Sequence, residues 1–184
     1  MTDTRPNDPS AAGTKPVLDR LESTHDQMFY WLDELKSLVD HMELQGWDTW
    51  ARDHARSVID FFSKTARQHH MDIDRQVLPL VAARGDADSS IQTGIERMRQ
   101  DHGWIDENWS ELLAQLQPVA EGFGGYDLDT LRQVADVFDT LLREHIELEK
   151  SLLYPARAQA EAEGQGEATR RAESAPTSGS TALG

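Results

Sequence analysis

The sequence predicts an all-α protein, an antiparallel up-down-up-down four-helix bundle. Apolar residues recur at three- and four-residue spacing through four long segments, which is the pattern of a helix with one buried face. Three glycine-containing stretches separate these segments and have the composition of turns. Four of the seven histidines lie within the apolar stripes, one in each segment.

The four stripe histidines are expected at one level of the bundle. In an antiparallel helical hairpin, residues equidistant from the turn lie side by side. The midpoints between successive histidines fall at 46–47, 85–86 and 123–124, which are the three turn stretches. The bundle should therefore bring together His25, His69, His102 and His145.

Each predicted helix is defined by its stripe. The first runs through Leu18, Leu21, His25, Met28, Leu32, Leu35, Val39 and Met42. The second runs through Ala55, Val58, Phe62, Ala66, His69, Ile73, Val77 and Leu80. The third runs through Ile91, Ile95, Met98, His102, Ile105, Trp109, Leu112, Leu116 and Val119. The fourth runs through Leu131, Val134, Phe138, Leu141, His145, Leu148 and Leu152.

Helix boundaries agree with these stripes. Gly46 ends the first helix, and Asp48 and Thr49 begin the second; Asp127 is a plausible N-cap for the fourth. Residues 1–14 and 164–184 are too polar to bury much apolar surface, and we expect both to be disordered. The bundle is thus predicted over residues 15–163.

Composition limits the function. The chain has 184 residues with 38% hydrophobic content, enough for one domain with a proper core. It contains no cysteine, which excludes thiolate metal sites, iron–sulfur clusters and disulfides. A net charge of −15 disfavours nucleic acid as a partner. No apolar run reaches membrane-spanning length, so we expect no membrane association and a cytoplasmic protein.

A metal site is the expected use of the level histidines. A single histidine on an apolar stripe is usually an ordinary buried side chain with one polar partner. Four imidazoles buried together leave many polar atoms to satisfy, and a metal ion would satisfy them.

Carboxylates at helical spacing would complete a ligand set. Glu149 stands four residues after His145, Asp74 four after His70, Asp106 four after His102, and Asp72 three after His69. Glu149 is the strongest of these candidates, and Asp106 is expected to be solvated. A mixed imidazole and carboxylate set suits iron, manganese or zinc.

These residues give the chain a resemblance to the hemerythrin family, specifically the bacterial HHE cation-binding domains. It covers residues 16–156 and rests on four stretches: LESTHDQMFYWLDEL, ARQHHMDIDRQVLPLV, RMRQDHGWIDENWSEL and REHIELEKSLLYP. The resemblance implies a non-haem, oxygen-bridged iron pair held by histidines and two bridging carboxylates. The positions that match as ligands are His25, His69, His102, His145 and Glu149.

The second helix departs from the family pattern. In the fourth helix a proline follows His145 by ten residues; applying this register to His69 and Pro79 puts Ile73 at the carboxylate position. His70 and Asp74 could supply the ligands instead, but this needs a local rotation or bulge, since one residue turns a helix by about 100°. Asp72 could reach in, or the site could have one carboxylate fewer. The third helix also has one histidine where the classical oxygen carriers have a pair.

Three classes of function follow. The first is a metal-binding protein that binds or senses oxygen or iron, with dioxygen or a related small molecule as ligand. The second is an enzyme, a di-iron oxidase or a peroxide-consuming activity at the same site. The third is a metal-free interaction bundle, with bis-histidine haem as a weaker variant. Signalling would need a separate partner, and a homo-oligomer is possible on this sequence.

Overall fold

The computed structural model describes the backbone of residues 10–84 and 89–173, and the side chains of residues 20–79, 81–83 and 89–154. Within these ranges the protein is all-helical and has no strand. Its elements are α1 (Ser10–Leu44), α2 (Thr49–Phe61), π1 (Phe62–Ala66), α3 (Arg67–Asp72), π2 (Ile73–Val77), α4 (Leu78–Arg84), α5 (Ser89–Glu121) and α6 (Leu128–Glu173).

The second helix is interrupted twice without being broken. From α2 to α4 the chain forms one continuous rod, in which two five-residue π-helical segments flank the short helix α3. A π-helical turn bonds residue i to i+5 and holds an extra residue, so it changes the rotational phase of the side chains beyond it. We call α2–π1–α3–π2–α4 the second rod.

The helices pack as a ring around one interior. Helix α1 lies against α2 and α6, α2 also packs on α5, and α5 packs on α6. The α6 face is wider than predicted because this helix contacts both α1 and α5. Half-buried positions include Val134, Leu141 and Leu148, where the predicted stripe runs, whereas the fully buried ones include Ala135, Leu142 and Ile146. Val134 and Leu141 pack against the larger apolar cluster, so the predicted stripe lies on the buried face, which also takes in the residues that follow them.

Two apolar clusters form the core, and a polar layer lies between them. The larger cluster includes Met28, Ala66, Ile105 and Phe138; the smaller is made of Leu21, Ile73, Val77, Leu78, Val81, Ile95, Met98 and Leu153. The buried polar side chains are His25, His69, His70, Asp101, His102, His145 and Glu149. The four histidines that we expected at one level of the bundle all lie in this layer.

The first and third turns are built as the sequence predicts. Gly46 has φ of 77° and Gly122 has φ of 78°, the left-handed region that glycine tolerates. Asp48 caps α2 by accepting a hydrogen bond from the Ala51 amide at 2.8 Å, and Asp127 accepts one from the Thr130 amide at 2.9 Å. The predicted second turn lies largely outside the described residues.

Both predicted disordered ends are helical where the structure describes them. Helix α1 begins at Ser10 and α6 ends at Glu173, so each helix extends into a segment that we expected to be disordered. The remainder of those segments, 1–9 and 174–184, lies outside the described residues. Among the described helices none combines the length and apolar character needed to cross a bilayer.

Candidate metal centre

The polar layer contains two groups of three ligand-type side chains. One group is His25, His69 and Glu149, and the other is His70, His102 and His145. Within each group the candidate ligand atoms lie within 4.8 Å of one another. All six residues are buried, with exposed fractions of 7% or less.

The first group is closely assembled. The Nε2 atoms of His25 and His69 are 3.2 Å apart. Glu149 places Oε1 at 3.1 Å from His25 Nε2 and Oε2 at 3.3 Å from His69 Nε2. Two imidazole nitrogens and one carboxylate therefore face the same small volume.

The second group consists of imidazoles alone. The ring of His102 stacks on that of His70 with centroids 4.6 Å apart, and the ring of His145 lies edge-on to both, at 4.7 Å from His102 and 5.3 Å from His70. The Nε2 atoms of all three are buried and have no hydrogen-bond partner among the described residues. A buried polar atom without a partner costs about 1–3 kcal/mol, and an ion that accepts its lone pair removes that cost.

Glu149 connects the two groups. Its Oε2 atom lies 3.6 Å from His145 Nε2, in addition to its contacts with His25 and His69. The side chain is completely buried. One carboxylate is thus within reach of two neighbouring ion positions, which is the arrangement of a bridging ligand.

The charge states of the layer suit metal binding. Burial lowers the pKa of His70 well below its usual 6.5, and His102, His145 and His69 lower it further. Burial and His145 also lower the pKa of His102, against the opposing effect of Asp74. These two imidazoles are therefore neutral near pH 7, with a lone pair available to a cation.

Glu149 is ionised in the same layer. Burial acts to raise the pKa of Glu149, but the nearby imidazoles of His145, His25 and His69 outweigh it and hold the pKa well below its usual 4.5. A layer that combines one buried carboxylate with five imidazoles is a donor set of nitrogen and oxygen, which fits iron, manganese or zinc. The residues present therefore fit the implied metal.

The two π-helical segments account for the position of the second-rod histidines. His69 and His70 are consecutive, yet their exposed fractions are 4% and 7%, and each belongs to a different group. A regular helix would separate them by about 100°. His69 and His70 keep this separation within α3, which is α-helical, while π1 before it and π2 after it shift its rotational phase relative to α2 and α4, so that both rings reach the interior.

The three candidate carboxylates of the second rod and α5 lie outside both groups. Asp74 accepts a hydrogen bond from His102 Nδ1 at 3.0 Å, so it lies behind that ring. Asp72 is bound by the side-chain amides of Gln68 and Gln76, at 2.9 and 3.2 Å. Asp106 is exposed. Of the seven predicted ligands, six come together and Asp74 is their neighbour.

Ile73, at the position where the resemblance implies a carboxylate, is fully buried in the smaller apolar cluster. His70 meanwhile brings a third imidazole to His102 and His145, although α5 itself has only one histidine in the layer.

Sequence reasoning missed Asp101. This side chain is 4% exposed, and its Oδ2 lies 4.0 Å from His145 Nδ1 while Oδ1 accepts a hydrogen bond from Arg97 at 2.8 Å. The i, i+4 spacing of Arg97 and Asp101 is typical of an ordinary surface ion pair, so the spacing gives no sign that Asp101 is buried near His145. Its position next to His102 is the signal that could have found it.

Two spaces adjoin the layer. A cavity of about 20 Å³ borders His70 and is walled mainly by apolar side chains, including Phe62, Ile105, Trp109 and Phe138. A cleft of about 360 Å³ borders His69 and is lined from α1 and the second rod. The first has room for about one water-sized molecule, whereas the second is large enough for a small organic molecule.

Comparison with known proteins agrees with this geometry. The family described as hemerythrin HHE cation binding domain matches residues 18–156 of the chain. An uncharacterized protein of Haemophilus influenzae is 23% identical over 148 residues, covering 80% of this chain and 81% of that protein. No solved structure matches the chain.

Proposed function

The chain belongs to the hemerythrin HHE cation-binding family, and we propose that it holds a non-haem pair of iron ions and binds or senses dioxygen or iron. The observation that carries this proposal is the sharing of Glu149 between two buried groups of ligand atoms. The same proposal includes the up-down-up-down order of the helices and a cytoplasmic location.

In this proposal, six buried side chains of the layer act as metal ligands and Asp74 supports one of them. His70, His102 and His145 would hold one ion and His25 and His69 the other, with Glu149 within reach of both groups. Asp74 orients the His102 ring through Nδ1, which keeps Nε2 turned toward the group. Bound iron supplies the electrons for dioxygen chemistry.

The walls of the site control access. The small cavity beside His70 is walled mainly by apolar side chains, with the exposed Arg67 and Asp106 completing its lining, so a water molecule against the apolar side would lose hydrogen bonds. A small neutral molecule pays no such cost. This supports dioxygen, rather than a polar metabolite, as the ligand on the His70 side.

An enzymatic role at the same site is the second candidate. The cleft beside His69 is large enough to admit a small substrate and reaches a residue of the first group. A di-iron oxidase or a peroxide-consuming activity would use this route. A steady rate of hydrogen peroxide consumption by the iron-loaded protein, lost in His69→Ala but retained in His54→Ala, would support it.

A metal-free bundle is disfavoured by the cost of the layer. The Nε2 atoms of His70, His102 and His145 are buried without hydrogen-bond partners among the described residues. A bound ion or water molecule is needed to remove the free-energy cost of these unpaired atoms. Signalling through a separate protein partner, or through a homo-oligomer, is part of the same proposal.

Metal content per chain tests the proposal. We expect about two iron ions per chain after anaerobic loading of the wild-type protein with ferrous iron, and about one in His70→Ala. His54→Ala is the matched control, since it removes an imidazole outside the layer and should retain two ions. Near-zero iron, manganese and zinc in the loaded wild type would overturn the proposal.

A further inference from the structure

Two turns of the bundle meet at one end of the molecule. The turn between α1 and α2 contacts the turn between α5 and α6, because Trp47 Nε1 donates a hydrogen bond to the carbonyl of Val119 at 2.9 Å. Gly122 also lies against the Trp47 ring, where an added Cβ would come within 3.0 Å of it. These contacts make one surface of residues 43–53 and 121–132, which we call the turn end.

The turn end exposes a group of large apolar side chains. Leu44 and Phe123 are exposed by 80% and 67%, the largest fractions among the large apolar side chains that the structure describes. Trp47 and Trp50 are exposed by 40% and 41%. Single exposed apolar residues are normal on a protein surface, whereas a group of them with a polar surround is typical of an interaction site.

The two tryptophans are held in place before any partner binds. Trp47 is fixed by its hydrogen bond to the end of α5. The Trp50 ring lies between the rings of His41 and His54, with centroid distances of 4.4 and 4.2 Å. An aromatic side chain that is already ordered loses little conformational entropy when a partner covers it, so these rings are suited to anchor an interface.

The charge around these side chains limits the kind of partner. The turn end contains two arginines, no lysine and six carboxylates, which are Glu43, Asp48, Asp53, Glu121, Asp127 and Asp129. Arg52 pairs with Asp53 at 2.9 Å. Arg132 pairs with Glu43, so both arginines are matched within the turn end and the surround of the apolar group is acidic. A second copy of the chain would place the same carboxylates opposite these, which disfavours self-association here.

The partner must therefore offer apolar and basic side chains together. The described residues contain no strand whose edge could pair with an extended peptide. An amphipathic helix satisfies its own backbone hydrogen bonds and presents an apolar face beside its charged residues. Lysines or arginines next to that face would lie opposite the carboxylates of the turn end.

We propose that the turn end docks a basic amphipathic helix of a partner protein, whose apolar face covers Leu44, Phe123 and the two tryptophans. Leu44 lies about 28 Å along α1 from His25, so the partner does not touch the metal layer. As a route for signalling this docking rests on the proposed function, but the binding itself needs no metal.

A synthetic peptide tests the surface on the full-length protein. The probe has about 18 residues of leucine and lysine, arranged so that the leucines form one helical face. A comparison peptide has the same composition with its leucines spread around the helix. Fluorescence anisotropy of the labelled peptides at about 0.15 M salt measures their affinity. We expect the amphipathic peptide to bind at least about tenfold more tightly, with amide NMR shifts at Leu44 and Phe123.

Removing the most exposed apolar side chains should weaken this binding. The double variant Leu44→Ser, Phe123→Ser should bind the amphipathic peptide at least about tenfold more weakly than the wild type. The matched control is Tyr30→Ser, Val137→Ser, which removes exposed apolar side chains from α1 and α6 outside the turn end and should bind within about twofold of the wild type. Urea denaturation checks that both variants remain folded.

The carboxylates are tested without altering the apolar group. The double variant Glu121→Gln, Asp129→Asn should bind the peptide more weakly and with less dependence on salt. Glu107→Gln, Glu147→Gln is the matched control, since it removes two exposed carboxylates outside the turn end.

Three results overturn the proposal. Equal affinity for the two peptides would mean attraction by charge alone. Unchanged affinity in Leu44→Ser, Phe123→Ser would place the peptide elsewhere. A dimer of the free protein in sedimentation velocity, lost in the same variant, would make the turn end an interface between copies. The metal centre is assessed separately, because peptide binding is measured on the metal-free protein and iron content on the loaded one.

Discussion

His69 and His70 are adjacent in the chain, yet their rings belong to different groups of the metal centre. His69 Nε2 lies 3.2 Å from His25 Nε2, whereas the His70 ring stacks on His102 with centroids 4.6 Å apart. A single turn of the second rod therefore serves both candidate ion positions. The π-helical segments on either side of α3 permit it, and π-helical turns are frequent at functional sites.

Removing the charge of Glu149 should cost an ion. Glu149→Gln keeps the shape but loses the anion that contacts His25, His69 and His145, so we expect iron content to fall from about two to about one per chain. Elemental analysis after anaerobic ferrous loading measures it. Glu147→Gln is the control, since that side chain is exposed and pairs with Lys150. Unchanged iron content in Glu149→Gln would contradict a bridging role.

Asp74 and Asp101 should act on metal affinity through the histidines that they contact. Asp74→Ala removes the acceptor from His102 Nδ1, and Asp101→Ala removes the carboxylate near His145. Loss of such a partner typically weakens metal binding about 10–100-fold. Competition with a zinc chelator measures the affinity. Asp72→Ala is the control, because Asp72 contacts glutamine amides and no histidine. If all three variants bind zinc equally, these carboxylates do not position the ligands.

The sequence predicts the layer better than its internal arrangement. The pairing of His145 with Glu149 could be predicted from the sequence because residues i and i+4 of one helix share a face. The common level of the histidines follows from counting residues between the turns. The division into two groups was left open: the register of His69 and Pro79 indicated that His70 could take part only with a local rotation or bulge, but the π-helical turns that provide it are set by tertiary packing. Once the phase of the second rod changes, His70 turns inward and Asp74 turns toward His102.

Ile73 should resist conversion into a ligand. Its side chain is fully buried among apolar residues of the smaller cluster, so Ile73→Glu would bury a carboxylate without a partner rather than add one to the metal layer. We expect the free energy of unfolding to fall by several kcal/mol. Urea denaturation measures it, with Ile73→Val as the control at about 0.5–1.5 kcal/mol. If the Ile73→Glu variant is stable and binds more iron than the wild type, the side chain at residue 73 faces the metal layer and not the smaller apolar cluster.

The metal-free protein should lose stability as pH falls below about 6.5. The folded state holds His70 and His102 neutral by lowering their pKa, while the unfolded chain protonates both near the usual 6.5. Above that pH the two histidines do not reduce the free energy of unfolding. As pH falls from 6.5 toward their lowered pKa in the folded state, the unfolded chain binds protons that the folded state does not, and the free energy of unfolding decreases. Each group adds at most about 1.4 kcal/mol per pH unit to this slope.

Glu149 should extend the loss of stability to lower pH, because folding also lowers its pKa well below the usual 4.5. Urea denaturation between pH 7.5 and 5 measures the histidine range. His70→Leu should flatten the slope there, since it removes one of the two imidazoles that resist protonation. His54→Leu removes an imidazole outside the layer and controls for the loss of a ring. A slope in His70→Leu as steep as in the wild type would mean that His70 is not held neutral by the fold.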